Sequence, residues 1–308
     1  MTIKTFTKKI LHLLQKSYLN KFKINNCMYF IGDNISLQNT KKIVMYFPDY
    51  EFMHFGDHFF FEPLANSLNQ KFDFKIVPIK AMEFYFDKLD YKLGSMLDLD
   101  TADLIITRKE FYDELKSKKN VLYIDLASLE IERFVCDEFV YKTSDLLKIE
   151  YNKHNKPQTI LTNNAKIDLN PNQKYILFNN YVDSASYRLR KQHFTKLNDF
   201  CRNFALENDY KVIHIGSQKD KDNDKKNYDF IDIDLRGKTS IEDLFSLSNL
   251  NNIVNCISFD TFLMHIFATY DKKSYIMFRG RFTKKGYDVI VNNFLPPFKS
   301  DIKLIELI

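Results

Sequence analysis

Glycine is scarce in this chain, with only seven in 308 residues. No G-x-G-x-x-G follows a candidate strand, and the P-loop pattern G-x-x-x-x-G-K-[ST] is missing as well. The G-x-S-x-G turn that exposes a nucleophilic serine does not occur either. The sequence therefore argues against a dinucleotide oxidoreductase and gives no support to P-loop or serine-hydrolase chemistry.

Cysteines and long apolar runs are also few. The four cysteines are far apart: Cys27, Cys136, Cys201 and Cys256. They form no Cys-x-x-Cys pair and have no histidine at zinc-ligand spacing, which predicts a reducing compartment and no structural zinc. The longest apolar run near the start, Ile10 to Leu14, is interrupted by His12 and is too short for a secretory core or a membrane span. We therefore expect a cytoplasmic protein.

The net charge is mildly positive, +5 from 45 basic and 40 acidic residues. Both signs are interspersed almost throughout, so the excess is only a weak argument for an anionic ligand or a membrane surface. A nucleic-acid binder would normally have a concentrated basic face and a recognition motif. We expect no nucleic-acid partner.

The first two dozen residues place apolar side chains at helical spacing, with lysines around them. The apolar positions are Ile3, Phe6, Ile10, Leu14, Tyr18 and Phe22. Two interpretations remain open: a basic amphipathic helix lying on an anionic membrane, or a helix docked on its own domain.

The length exceeds what one hydrophobic core usually serves, so two domains of about 150 residues are expected. From Lys41 onward, short β-branched or aromatic runs alternate with helical patterns, which is typical of parallel sheets covered by helices. The predicted strands are "KIVMYF", "FDFKIVPI", "ADLIIT", "NVLYIDL", "KYILFNN", "YKVIHIG", "YDFIDIDL", "NNIVNCI" and "KSYIMF". A polar, asparagine-rich stretch with Pro157 and Pro171 interrupts this alternation. The sequence predicts two Rossmann-like α/β/α domains facing across a cleft. The predicted division is residues 1–40 as a basic amphipathic extension, 41–155 as the first domain, 156–173 as a linker and 174–308 as the second domain.

Ligands of open α/β sheets bind beyond the carboxyl ends of the strands, so the loops after strands are candidate sites. In "HFGDHFFFEP", Asp57 follows the candidate strand Ile43–Phe47. It is either a helix-capping or first-turn acid, or a general base at the cleft. Proline belongs in a first helical turn, so Pro63 predicts a helix starting nearer Phe60 than His58, with Asp57 on an exposed loop.

Three later loops are candidate anion sites. In "SFDTFLMHIFA", Asp260 or Thr261 would cap a helix whose free N–H groups suit a diphosphate. In "NNYVDSASYRLRKQHF", hydroxyl and basic side chains precede a helix. Because the helix dipole disfavours positive charge at a helix N-terminus, a bound anion would explain these basic residues. The loop "FRGRFTKKG" is the third. A plain capped helix, a solvated basic face and an ordinary surface loop remain the respective alternatives.

Two Asp-x-Asp pairs, Asp98 with Asp100 and Asp232 with Asp234, have the spacing of carboxylates that bind Mg²⁺ or Mn²⁺. The spacing is common by chance in a chain with 28% charged residues. We therefore predict no metal site.

Two ordered groups of residues resemble the bacterial heptosyltransferases, family 9 of the glycosyltransferases. The first is the Gly-Asp element followed by proline and leucines: Gly56, Asp57, Pro63, Leu64 and Leu68. The second and more specific lies in "RGKTSIEDLFSLSNLNNIVNCISFDTFLMHIFA". Its matching positions are Gly237, Lys238, Thr239, Ser240, Leu244, Asp260, Thr261, Met264 and His265.

The resemblance implies a GT-B architecture and an inverting, metal-independent transfer of a sugar, such as a heptose, from a nucleotide diphosphate to an acceptor hydroxyl. The acceptor would be a bacterial surface glycan or glycolipid, such as a lipopolysaccharide core or a capsule. The nucleotide sugar would be a co-substrate, with no cofactor. A peripheral contact with the cytoplasmic face of the inner membrane would involve the N-terminal segment.

The resemblance also implies roles for individual residues. Asp57 would be the base, with His54, His58 and Glu62 on the acceptor side. Asp260 and Thr261 would lie at the donor pyrophosphate, with Arg190 or Lys191 as the basic residue beside its phosphates. Further donor-side candidates in the second domain are Ser184, Gly216, Lys238, His265 and Arg279.

The sequence departs from the family pattern at two site positions. Phe262 replaces the usual glycine after Asp-Thr, and Glu62 replaces the usual threonine before Pro63. Two alternatives follow. One is a catalytically inactive GT-B module that binds glycan or a partner enzyme; the other is a metal-dependent sugar transferase that uses Asp232 and Asp234.

Overall fold

The computed structural model describes nine stretches of the chain: residues 18–32, 40–48, 54–125, 135–148, 157–162, 167–181, 191–259, 261–277 and 302–304. The chain divides into two compact units, Met1–Asn155 and Lys156–Ile308. Each unit contains a six-stranded sheet with helices packed against it.

The first unit contains six strands: β1 (Lys23–Asn25), β2 (Met28–Ile31), β3 (Lys42–Tyr46), β4 (Asp73–Val77), β5 (Leu104–Arg108) and β6 (Val121–Ile124). Its helices are α1 (Phe55–Asn69), α2 (Glu83–Lys88), α3 (Tyr112–Leu115) and α4 (Val135–Leu147). The strand order is β1-β2-β6-β5-β3-β4. Strands β3 to β6 are parallel, whereas β2 is antiparallel to β6.

The parallel core of this unit follows from its apolar runs. All four residues of β6 are buried, as expected for a strand covered on both faces. On α1, Phe61 is buried and stacks on Phe139 of α4, with ring centroids 4.5 Å apart. Phe61 also packs against Phe47, the residue after β3, with ring centroids 4.6 Å apart, and this contact ties α1 to the carboxyl end of β3.

The second unit contains strands β7 (Tyr175–Asn179), β8 (Lys211–His214), β9 (Ile233–Asp234), β10 (Ile253–Phe259), β11 (Lys273–Met277) and β12 (Ile302–Leu304). Its helices are α5 (Lys191–Asn208), α6 (Gln218–Asn223), α7 (Ile241–Asn249) and α8 (Phe262–Thr269). The sheet is wholly parallel, in the order β12-β11-β10-β7-β8-β9. Of its two apolar clusters, one includes Leu263 and Phe267 of α8, and the other includes Leu197 and Cys201 of α5.

Four details differ from the sequence-based expectation. Strands β1 and β2 lie within the predicted N-terminal extension, and β12 was not predicted. The predicted strand in "YDFIDIDL" is reduced to the two residues of β9. The described part of the predicted linker packs on the second unit, where Ile160 is buried and the Thr162 hydroxyl accepts a 2.8 Å hydrogen bond from Ser246.

Three cysteines, Cys27, Cys201 and Cys256, are buried free thiols. Burial raises the pKa of Cys256 to about 12. In the described part of the chain, every helix is too short or too polar to cross a membrane. Residues 1–17 of the amphipathic segment lie outside the described residues.

Candidate functional site

The helix that carries Asp57 begins earlier than predicted. It starts at Phe55, so Asp57 lies in the first turn and Pro63 lies inside the helix. The Asp57 carboxylate accepts a 3.0 Å hydrogen bond from the backbone N–H of His54 through Oδ2. The expectation of an exposed loop was therefore wrong. The apolar side chains that α1 buries on both sides of Pro63 offset the local cost of an interior proline.

Asp57 also forms an ion pair with Arg108, the last residue of β5. Nη1 of Arg108 lies 2.9 Å from the same Oδ2 oxygen, and the side chains of Arg108 and Asp57 are only 13% and 18% exposed. The register of the neighbouring strands explains the meeting, since Tyr46 of β3 pairs with Thr107 of β5. Sequence reasoning missed Arg108. The signal for it was a basic residue ending the strand beside the one that precedes Asp57.

Arg108 is held in turn by Glu110. Nε of Arg108 donates to Oε2 at 3.2 Å, and Nη2 donates to Oε1 at 3.3 Å. Beside them, Lys109 donates a 2.6 Å hydrogen bond to the buried carboxylate of Asp125, which follows β6. The carboxyl edge of the first sheet is thus lined by mutually paired charges.

The prediction that His58 and Glu62 face the acceptor is wrong, because both side chains are completely buried. Burial lowers the pKa of His58 to about 4, so the ring is neutral at pH 7. Its Nδ1 donates to the His54 carbonyl at 3.0 Å, and its Nε2 accepts the Ile79 N–H at 3.3 Å. Glu62 accepts a 2.7 Å hydrogen bond from the Tyr91 hydroxyl. His54, by contrast, is exposed beside Asp57.

In the second unit, Thr261 immediately precedes α8 at the carboxyl end of β10. Its side chain makes no hydrogen bond to the first turn of the helix within the described part of this unit. Its hydroxyl instead lies 3.5 Å from that of Ser258. The Thr261 side chain therefore does not cap α8, and the N-terminus of a helix is a position that binds anions.

The side-chain rings of Phe262 and His265, both in the first turns of α8, pack against the interior of the second unit. Phe262 packs edge-on against the buried ring of Phe245, with centroids 6.2 Å apart. His265 is buried, and burial lowers its pKa to about 4. His265 is therefore neutral at pH 7 and adds no positive charge to a phosphate site.

The "RGKTS" segment has a local structural role. Gly237 has φ +71°, and its N–H donates a 2.8 Å hydrogen bond to the Gly216 carbonyl. Lys238 donates to the Asp234 carbonyl at 2.9 Å. Ser240 caps α7, since its hydroxyl accepts the N–H of Asp243 while the Asp243 carboxylate accepts that of Ser240. The segment folds into a left-handed turn followed by a capped helix.

The other predicted donor-side residues lie at or near the start of α5 or outside the described residues. Lys191 is the exposed first residue of α5. Ser184, Arg190, Asp260 and Arg279 lie outside the described residues.

The Asp-x-Asp carboxylates are bound by the protein's own cations. Lys211 lies 2.9 Å from Asp232, and Arg236 binds Asp234. Among the described residues, no group of three or more possible metal ligands is found.

A buried polar group at the ends of β7 and β8 was also missed by sequence reasoning. His214 lies 3.0 Å from Oδ1 of Asn180, whose amide nitrogen lies near Asp224 and the Tyr228 hydroxyl. Tyr228 donates a 2.6 Å hydrogen bond to Asp224. These contacts order the loop before β9.

The sequence matches no protein-family model and no curated protein. Solved structures do resemble it. A family 9 glycosyl transferase from Veillonella parvula has a TM-score of 0.61 and 14% identity, over 90% of this chain and 89% of that one. E. coli ADP-heptose LPS heptosyltransferase II has a TM-score of 0.59 and 13% identity, over 87% and 91%. E. coli heptosyltransferase WaaC with ADP has a TM-score of 0.50 and 11% identity, over 77% and 86%.

These similarities extend over most of the chain and concern its fold. They confirm the predicted α/β class of GT-B type, with two units that each contain a largely parallel sheet. At such low identity the likeness does not carry over residue roles.

Proposed function

We propose that this protein is an inverting glycosyltransferase that moves a sugar from a nucleotide diphosphate donor to a hydroxyl of a bacterial surface glycan or glycolipid. The observation that carries the proposal is the placement of Asp57 at the carboxyl edge of the first sheet, in a fold like that of the family 9 structures. One similar structure is named as an ADP-heptose LPS heptosyltransferase, which makes a heptose a candidate for the transferred sugar.

The chemistry needs one proton acceptor. The acceptor oxygen attacks the anomeric carbon, the bond from that carbon to the diphosphate oxygen breaks, and its electron pair leaves with the diphosphate. The proton of the attacking hydroxyl passes to Asp57. Both hydrogen bonds to its carboxylate reach Oδ2, and no described residue donates to Oδ1. Oδ1 is therefore the oxygen assigned to the proton.

The leaving diphosphate needs positive charge or N–H donors. The N-terminus of α8 follows Thr261, whose side chain does not cap it, and the backbone N–H groups of a helix N-terminus can bind a phosphate. We assign the diphosphate to this position, with Lys191 and Lys238 as accessory cations. No metal ion takes part in this scheme.

Calorimetric titration with a panel of nucleotide sugars, followed by transfer assays with the donor that binds, tests the proposal. Wild-type protein is expected to bind one donor and transfer its sugar with inversion. The Asp57→Ala variant is expected to bind that donor with unchanged affinity and to lose transfer. Full turnover by this variant would remove Asp57 from the mechanism.

An inactive GT-B module that binds glycan is the second candidate, favoured by Phe262 at the first position of α8. The same titration separates the two functions. If no nucleotide sugar in the panel gives heat, the inactive module is supported and the transferase proposal fails.

A further inference from the structure

The ion pair between Arg108 and Asp57 is supported by more hydrogen bonds than an ordinary ion pair on a protein surface. Arg108 extends from the end of β5 and donates through Nη1 to Oδ2 of Asp57, while its Nε and Nη2 donate to the two oxygens of Glu110. A guanidinium bound at three of its nitrogens is held in one orientation. The side chains of Arg108 and Glu110 are only 13% and 21% exposed, which limits their rotation further.

Two donors converge on one oxygen of Asp57. The His54 N–H is 3.0 Å from Oδ2, and Nη1 of Arg108 is 2.9 Å from it. One of these donors belongs to the backbone before α1, and the other to the neighbouring strand. Rotation of the carboxylate about its Cβ–Cγ bond would break both contacts, so the direction of Oδ1 is set by the same two bonds.

We propose that Arg108 is a positioning residue for the transfer reaction, which fixes the Asp57 carboxylate through Oδ2 so that Oδ1 accepts the proton of the attacking hydroxyl. Glu110 contributes by orienting the guanidinium of Arg108. The inference rests on the proposed function, since it assigns Asp57 as the base. Arg108 itself makes no bond to either substrate in this scheme.

A positioning role predicts a loss of turnover without a loss of binding. In Arg108→Ala we expect kcat to fall roughly 100-fold, the cost of a misplaced reacting group, while donor and acceptor KM stay within about twofold. Arg108→Lys keeps the positive charge but loses the planar guanidinium group that binds Asp57 and Glu110 together. Its kcat is therefore expected to lie between those of Arg108→Ala and wild type. Added guanidinium ion is expected to restore part of the turnover of Arg108→Ala.

The strongest test is a double variant. If Arg108 acts only through Asp57, then Arg108→Ala has no further effect on the residual rate of Asp57→Ala. A double variant slower than Asp57→Ala would show that Arg108 acts on a substrate directly, and would overturn the proposal. Unchanged kcat in a folded Arg108→Ala protein would overturn it too.

The matched control is Arg202→Ala in the second unit. Arg202, on α5, also forms an arginine–aspartate pair, at 2.7 Å from Asp229. Its variant is expected to keep wild-type kcat. If Arg108→Ala does not fold, Arg108→Lys and Glu110→Gln provide the same comparison, each with reduced kcat and unchanged KM. Inactive wild type would refute the proposed function, whereas active wild type with unaffected Arg108 and Glu110 variants would refute only this inference.

Discussion

Arg236 binds Asp234 through two hydrogen bonds, from Nε to Oδ1 and from Nη2 to Oδ2, both 3.0 Å long. The arginine is buried, and its Nη1 also donates to the Asp224 carbonyl at 2.7 Å. Such a two-pronged pair is strong and directional. It occupies one of the two carboxylates of the Asp232 and Asp234 pair, which has metal-ligand spacing in the sequence.

Transfer activity is therefore expected to persist after metal removal. Asp234 would have to release Arg236, and Asp232 would have to release Lys211, before the two could bind a cation together. We expect equal rates with and without EDTA in protein purified without added metal. Loss of activity in EDTA and its recovery with Mg²⁺ or Mn²⁺ would support the metal-dependent alternative.

The same pair predicts a loss of stability in acid. The Arg236 guanidinium lowers the pKa of Asp234 from 3.8 to about 2. A carboxylate with a lowered folded-state pKa stabilises the protein fully above the unfolded value and loses that contribution as pH falls through the folded value. Urea denaturation is expected to show about 2 kcal/mol less stabilisation from this group near pH 2 than near pH 5. Asp234→Asn should lack this part of the pH dependence, and Glu207→Gln, on the exposed face of α5, should retain it.

His58 also predicts a loss of stability on acidification. This loss begins at a higher pH than the loss expected from Asp234. Burial lowers its pKa from 6.5 to about 4. The unfolded chain therefore binds a proton that the folded ring does not, and stability falls as pH drops from about 6.5 towards 4. Between pH 7 and pH 5 we expect about 2 kcal/mol of this loss to come from His58.

His58→Gln is the variant that checks this expectation. Its stability should change less between pH 7 and pH 5 than that of wild type, by urea denaturation at both values. The buried His214 and His265 also have pKa values lowered to about 4 and should keep their own share of the slope. Equal slopes in His58→Gln and wild type would contradict a neutral, buried His58.

Gly237 is expected to resist substitution. Its φ of +71° disfavours any residue with a Cβ, and an added Cβ would collide with the Gln218 side chain. Gly237→Ala should lower stability by about 1–3 kcal/mol, measured by thermal or urea unfolding. Adding Gln218→Ala should recover the part due to the collision and leave the part due to φ. Complete recovery would show that the backbone conformation costs little.

The sheets were predictable because buried parallel strands are continuous apolar runs. β3, β4, β6, β7, β8 and β11 each lie within a run identified in the sequence, whereas β5 and β10 begin in such a run and extend past its end. β9 and β12 are two and three residues long, too short for periodicity to identify. β1 and β2 were hidden by lysine-rich flanking sequence that favours an amphipathic helix.

The candidate site was less predictable, for reasons that concern α1 and its neighbours. Pro63 favours a helix that starts near Phe60, and such a helix does not include His58 in its buried face. A helix from Phe55 places His58 and Glu62 on the same inward face as Ala65. The Arg108 contact joins residues 51 positions apart and depends on strand order, which local spacing does not encode.

The antiparallel strand β2 covers the side of β6, pairing Met28 with Ile124 and Ile31 with Val121. Without it, β6 would become an outer strand with a row of unpaired N–H and C=O groups beside fully apolar side chains. A protein shortened to begin at Lys41 would therefore expose an unpaired strand edge that can pair with the same strand of another copy. The residues before the first parallel strand thus protect the solubility of the unit as well as completing its sheet.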